Sequence, residues 1–183
     1  MSQSFFKFIL SIMISIGLVV SSSAFAASKT EIDIEVKQAL KRFNKEVAAS
    51  KEYTKLAKGI LVFPSIFKAG FGIGGEYGEG AMLINGKTVQ YYSTAAASIG
   101  FQLGAQTKTV IIIFTDSKAL KKFRNNDGWE AGVDGSVALI ELGAATTLDT
   151  STIKDPIIAF VFNNKGLMYN LSLEGSKYSK IDR

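Results

Sequence analysis

Two kinds of residue in this 183-residue chain bear on chemistry: those that are missing and those that cluster. Histidine and cysteine are both absent. Without them there can be no Ser-His-Asp triad, thiol nucleophile, disulfide framework or Cys/His zinc site. What remains is charge. Lys51, Lys55, Lys58 and Lys68 form one basic run, and Lys118, Lys121, Lys122 and Arg124 a second with no acid inside it. Such cations suit an anionic surface, each worth about 1 kcal/mol near anionic lipid. The alternative reading is ordinary solvated faces that keep a small domain soluble. Asp127, Glu130 and Asp134 are the nearest approach to a hard-cation site, but their spacing matches no loop motif. No metal or other cofactor is therefore expected. No carboxylate pair or Ser/Lys constellation stands out, so an enzyme is not expected either.

The charge is unevenly distributed. Residues 29–124 carry a net +7, and residues 125–155 a net −5. That asymmetry predicts a dipolar surface with one side suited to anions. Nucleic acid is a poor candidate, because the bases are not interleaved with aromatics in a binding module.

Residues 1–26 read as a cleaved secretory signal. Lys7 supplies the positive start, residues 8–20 the apolar stretch, and Ala24 and Ala26 the small-x-small cleavage pattern. Thirteen apolar residues fall short of the roughly 20 that span a bilayer. The expected product is an exported protein, periplasmic or secreted, with one domain over 27–183. It should not be a lipoprotein, since no cysteine is available to carry the lipid.

The positioning elements follow from periodicity. Ile32, Val36, Leu40, Phe43 and Val47 make an apolar stripe, predicting a helix over 31–47 that starts near Thr30. The stripe shifts phase near 48–50, so a second short helix is expected over 50–58. Residues 59–104 then hold ten glycines. Residues 70–75 match G-x-G-x-x-G, but a dinucleotide site needs a helix after the motif. Here Asn85-Gly86 between apolar runs predicts a hairpin instead. Further strands are expected at 99–103 and 110–114, a capped helix at 117–124, and a period-2 strand across 129–140. A polar loop at 144–155 should precede a second hairpin that turns at Asn163-Asn164-Lys165-Gly166. The fold class is α+β: N-terminal helices on a glycine-rich, mostly antiparallel, curved or barrel-like sheet.

These residues resemble a known family. The strings AKGILVFP (57–64), KAGFGIGG (68–75), GEG (78–80), YYS (91–93), ASIGFQLGAQ (97–106), GWEAGVD (128–134), NKGLM (164–168) and LEGSK (173–177) are similar in content and order to the SYLF domain family. The resemblance implies a lipid-binding module. Eukaryotic members are tied to phosphoinositides and actin; exported bacterial members are described as lipid-binding and are often lipoproteins. Neither actin nor phosphoinositide is expected for an exported protein, and no head-group motif carries over residue by residue. The site residues therefore rest on charge: Lys51, Lys55, Lys58, Lys68, Lys118, Lys121, Lys122 and Arg124. The leading expectation is docking on anionic phospholipid at a membrane surface. Two alternatives stay open: a carrier enclosing an acyl chain, and an envelope module that binds a protein.

Overall fold

A computed structural model describes residues 27–47, 49–141, 154–166 and 173–183. The expected leader, most of the expected loop and the second half of the expected second hairpin lie outside these residues.

Helix α1 (Lys29–Glu46) buries Ile32, Val36, Ala39 and Phe43, the face its periodicity defines. It starts earlier than expected, because Ser28 and Glu31 form a reciprocal capping box. The Ser28 hydroxyl accepts from the Glu31 N–H at 3.3 Å, and the Glu31 carboxylate accepts from the Ser28 N–H at 2.7 Å. Asp33 is thereby free for a tertiary role. It accepts from the Thr88 hydroxyl (2.9 Å) and the Tyr91 phenol (3.0 Å), tying α1 to the sheet. Burial first, then this bond to Asp33, pushes the Tyr91 phenol up to about 12. Helix α2 (Ser50–Leu56) follows, ending short of residue 58. Tyr53 of α2 and Phe43 of α1 both meet the Phe160 ring edge-on at 4.9 Å.

The sheet is dominated by one hairpin. Strand β1 (Gly59–Ile84) pairs along its length with β2 (Lys87–Phe114), so the separately expected strands at 99–103 and 110–114 are one continuous strand. Asn85 and Gly86, at φ 52° and 73°, turn between them as the Asn-Gly signal requires. The register slips at three points: after Phe63, where Pro64 has no N–H to donate, and at Phe71/Gly72 and Met82/Leu83. The hairpin also doubles back. A Cβ on Gly80 would lie 2.0 Å from the Val62 carbonyl oxygen, and one on Gly78 2.8 Å from that of Ser65. The two arms of β1 therefore touch backbone to backbone, an approach open only to glycine.

The remaining strands extend the two arms. Strand β6 (Lys177–Ile181) pairs with Tyr91–Ala95 of β2 and carries β3 (Trp129–Glu130) beyond it. Strand β5 (Ile157–Gly166) pairs with Gln106–Phe114 of β2 and carries β4 (Ala138–Glu141), in parallel. The result is a curled, mixed half-barrel within an α+β fold. Helices α1 and α2 cover its outer face over Val62, Leu83, Ile111 and Phe160. Helix α3 (Ser117–Asn125) joins the inner core. There Phe123 packs against Phe114 (5.0 Å), Tyr92 (5.2 Å) and Trp129 (5.3 Å).

Two expectations fail for local reasons. The alternation from Trp129 stops after Glu130, whose N–H donates to the Asp134 carboxylate at 2.8 Å while Gly132 turns at φ 85°. The strand resumes only at Ala138. Asn163-Asn164-Lys165-Gly166 is not a turn but the end of β5, because β2 still offers Thr107 and Gln106 as partners for Lys165 and Gly166.

Gly80→Ala should therefore cost about 3 kcal/mol or more, the upper range for an overpacked site. Gly86→Ala, which meets nothing within 4 Å, should cost only the left-handed backbone penalty of about 1–2 kcal/mol. Urea unfolding of the two variants measures the order.

Candidate functional site

Asp116 caps α3 by accepting from the Ala119 N–H at 2.8 Å. With Leu120 and Phe123 buried, the polar positions divide between two sides of the helix. Lys118 and Lys122 share one, where the Lys122 ammonium donates to the Asp134 carbonyl. Ser117, Lys121, Arg124 and Asn125 share the other and line a groove of about 420 Å³. Its remaining walls are Gln90 and Tyr92 of β2 and Lys180 of β6.

Three cations line this groove and no carboxylate does. Asp127 lies close by, its carboxylate accepting from the Lys180 N–H at 2.9 Å. Tyr92 is 1% exposed, and its hydroxyl has no hydrogen-bond partner within the described structure. Burial pushes that phenol up; Arg124 opposes the shift and Asp127 reinforces it. Gln90 is already committed, its amide nitrogen donating to the carbonyls of Tyr91 and Ile181 at 3.2 Å each. The arrangement presents a planar guanidinium and two ammonium groups, with the Tyr92 hydroxyl buried beneath them. Such a set recognises an oxyanion, phosphate above all.

The eight expected site residues are thus not one surface. Lys121 and Arg124 lie in the groove, Lys118 and Lys122 beside it. Lys51, Lys55 and Lys58 are exposed, but α2 packs on the outer face of the sheet and α3 on the inner. The two runs approach where Gly59, next to Lys58, lies against Leu120 of α3. Lys68 does not reach the surface: it sits on the inner side of β1, 8% exposed. The pattern 65–68 places odd residues outward and even ones inward, a phase set by the slip after Phe63. Sequence reasoning missed Lys180, Tyr92 and Gln90. Lys180 carried no local signal, because strand pairing alone brings β6 beside Tyr92.

A second polar cluster lies inside the half-barrel. Lys108 of β2 donates to both oxygens of Glu76 of β1, at 2.9 and 3.2 Å, with side chains 1% and 5% exposed. The Ser176 hydroxyl approaches the same carboxylate at 3.5 Å. The nearby Tyr178 phenol is pushed far up, by burial first and then by Glu76.

Residues 95–182 match the family model described as Ysc84, Las17-binding protein actin regulator. The chain is also 27% identical, over 125 residues, to a Bos taurus protein called SH3 domain-containing YSC84-like protein 1. That alignment covers 66% of this chain and 36% of the relative, so the chain spans about a third of the relative's length. Residues 95–182, just under half of the chain, thus match the SYLF (Ysc84) domain family, and the weaker similarity to the Bos taurus protein agrees with it. The matched SYLF stretch contains α3 and β6, and with them Lys121, Arg124 and Lys180. Gln90, Tyr92 and the lysines of α2 precede it.

An unpaired buried hydroxyl costs about 1–3 kcal/mol. Tyr92→Phe removes it without changing the ring, so the variant should unfold at equal or higher denaturant concentration than the parent. A loss above about 1 kcal/mol would show that the hydroxyl is satisfied in the folded protein.

Proposed function

We propose that the chain is an exported, non-enzymatic lipid-binding module that docks on anionic lipid. The observation that carries this reading is the α3–β2–β6 groove, where three cations converge and, among the described residues, no carboxylate lines the wall. The match to the SYLF family, whose members include regulators linked to actin and lipid, supports the ligand class. The leader pattern in residues 1–26 supports export. No helix among the described residues is long and apolar enough to cross a membrane.

Docking is better supported than enclosure of an acyl chain. Among the described residues, the inner space of the half-barrel is filled by Phe63, Phe123, Trp129, Tyr178 and the Glu76–Lys108 pair. Ser176 and Lys108 are the nearest thing to a Ser/Lys couple, but each is only 1% exposed, out of reach of a substrate.

Flotation with phosphatidylglycerol vesicles tests the reading, with phosphatidylcholine as the neutral arm. Replacing Lys121, Arg124 and Lys180 together by glutamine should weaken attachment by up to about a hundredfold, at about 1 kcal/mol per cation. The paired change Lys118→Gln with Lys122→Gln should cost much less. Raised salt should release the parent, because exposed charges are screened beyond about 10 Å at 0.1 M. Equal losses in the two variants would remove the groove from the account. Intact mass of the chain purified from its host's envelope should begin at Ala27.

A further inference from the structure

The bend of the long hairpin is inside out. Over residues 65–77 and 95–108, side chains on the inner face include Lys68, Glu76, Gln106 and Lys108, all buried. On the outer face, Phe67 is 55% exposed, Ile73 74% and Tyr77 52%, with Ala95, Ala97 and Ala105 also exposed. The outward positions described between Ser65 and Tyr77 of β1, and between Ala95 and Thr107 of β2, carry no charge. This is the face that α1 and α2 cover elsewhere, over Val62, Leu83, Ile111 and Phe160; at the bend they do not reach it. A soluble sheet that buries lysine and glutamate and exposes phenylalanine and isoleucine inverts the usual alternation.

The borders of this face point to what covers it. At one end, Ser65 and Thr107 are shared with a second groove, of about 520 Å³, whose other walls include Lys41, Arg42 and Lys45 near the end of α1. Glu35 is its one acid. Arg42 donates to the Thr109 hydroxyl at 3.4 Å and lies 6.0 Å from the Phe162 ring centre, while its Nε is buried with no partner. At the other end, the Tyr77 phenol donates to Glu79 at 2.7 Å, and Glu79 is paired with Arg183. An uncharged apolar face bounded by three cations on one side and a tyrosine hydroxyl on the other matches the layering of a bilayer. Acyl chains meet the face, and phosphates meet the cations.

We infer that this outer face enters the upper acyl layer of an anionic bilayer, with Phe67, Ile73 and Tyr77 as the inserting side chains and Lys41, Arg42 and Lys45 level with the phosphates. The inference rests on the docking reading for its ligand, anionic lipid, and adds a second contact surface, on the outer side of the sheet with α1 rather than on the inner side with α3. Entry is shallow, because among the described residues β2 pairs with β1 alone between residues 96 and 105, and an edge left open there needs water.

The absence of cysteine makes the test direct. Ile73→Cys, carrying an environment-sensitive fluorophore, is mixed with phosphatidylglycerol vesicles containing lipids brominated at shallow acyl positions. Val133→Cys, equally exposed at 74% but off this face, is the control. The label at 73 should shift to the blue and be quenched, and the label at 133 should do neither. Phe67→Asn and Ile73→Asn should each lower vesicle partitioning about tenfold. Flotation with the label at 73 still in water would overturn insertion and leave docking standing. Shielding of that label without vesicles, together with a dimer mass, would assign the face to a second copy. Failure to float with either lipid would overturn both readings.

Discussion

Gly80 and Val62 lie so close that no side chain can stand between them. Everything distinctive about the molecule follows from that contact. A flat hairpin of strands this long would expose both faces along most of its length. Folded back at the glycines, it becomes two arms enclosing an inner space, and each arm of β2 then receives its own new strand, β6 on one and β5 on the other. The same fold-back gives α3 an inner core to join and gives the cations of α3 a partner in Lys180.

The fold-back also explains where the charges went. Glu76 and Lys108 lie on different arms, 32 residues apart, and meet only because the arms face each other. Burying both ions is expensive, and the return depends on geometry and on added hydrogen bonds. Contacts to both carboxylate oxygens and the approach of Ser176 meet that requirement. The pair locks the arms in one register, since a slip of one residue would turn both charges outward. The cost of this arrangement appears at the bend, where the apolar positions are left facing solvent.

Much of this was legible in the sequence. The stripe of α1, the Asn85-Gly86 turn and the α+β class follow from periodicity and turn chemistry, which are local. The fold-back was not, although the glycines that permit it were conspicuous. Glycine marks where backbones can approach, not which backbone arrives. Strand ends were misplaced where long-range pairing overrode local signals, as at Asn163–Gly166, or where a side chain intercepted a backbone donor, as Asp134 does at Glu130. The basic run of α3 was visible as a cluster, but its division into Lys121 and Arg124 against Lys118 and Lys122 depends on where Leu120 and Phe123 point. Lys180 joined it only through the pairing of β6 with β2. Lys68, in a run of bases by count, is inside because the slip after Phe63 sets its phase.

The central claim is that the groove between α3, β2 and β6 holds a phosphate-bearing head group. Amide NMR of the chain, titrated with a soluble short-chain phosphatidylglycerol below its micelle concentration, tests it most directly. The account predicts saturable shifts centred on Gln90, Tyr92, Ser117, Lys121, Arg124 and Lys180. Shifts centred on Lys51, Lys55 and Lys58 of the α2 region, with those positions silent, would contradict it.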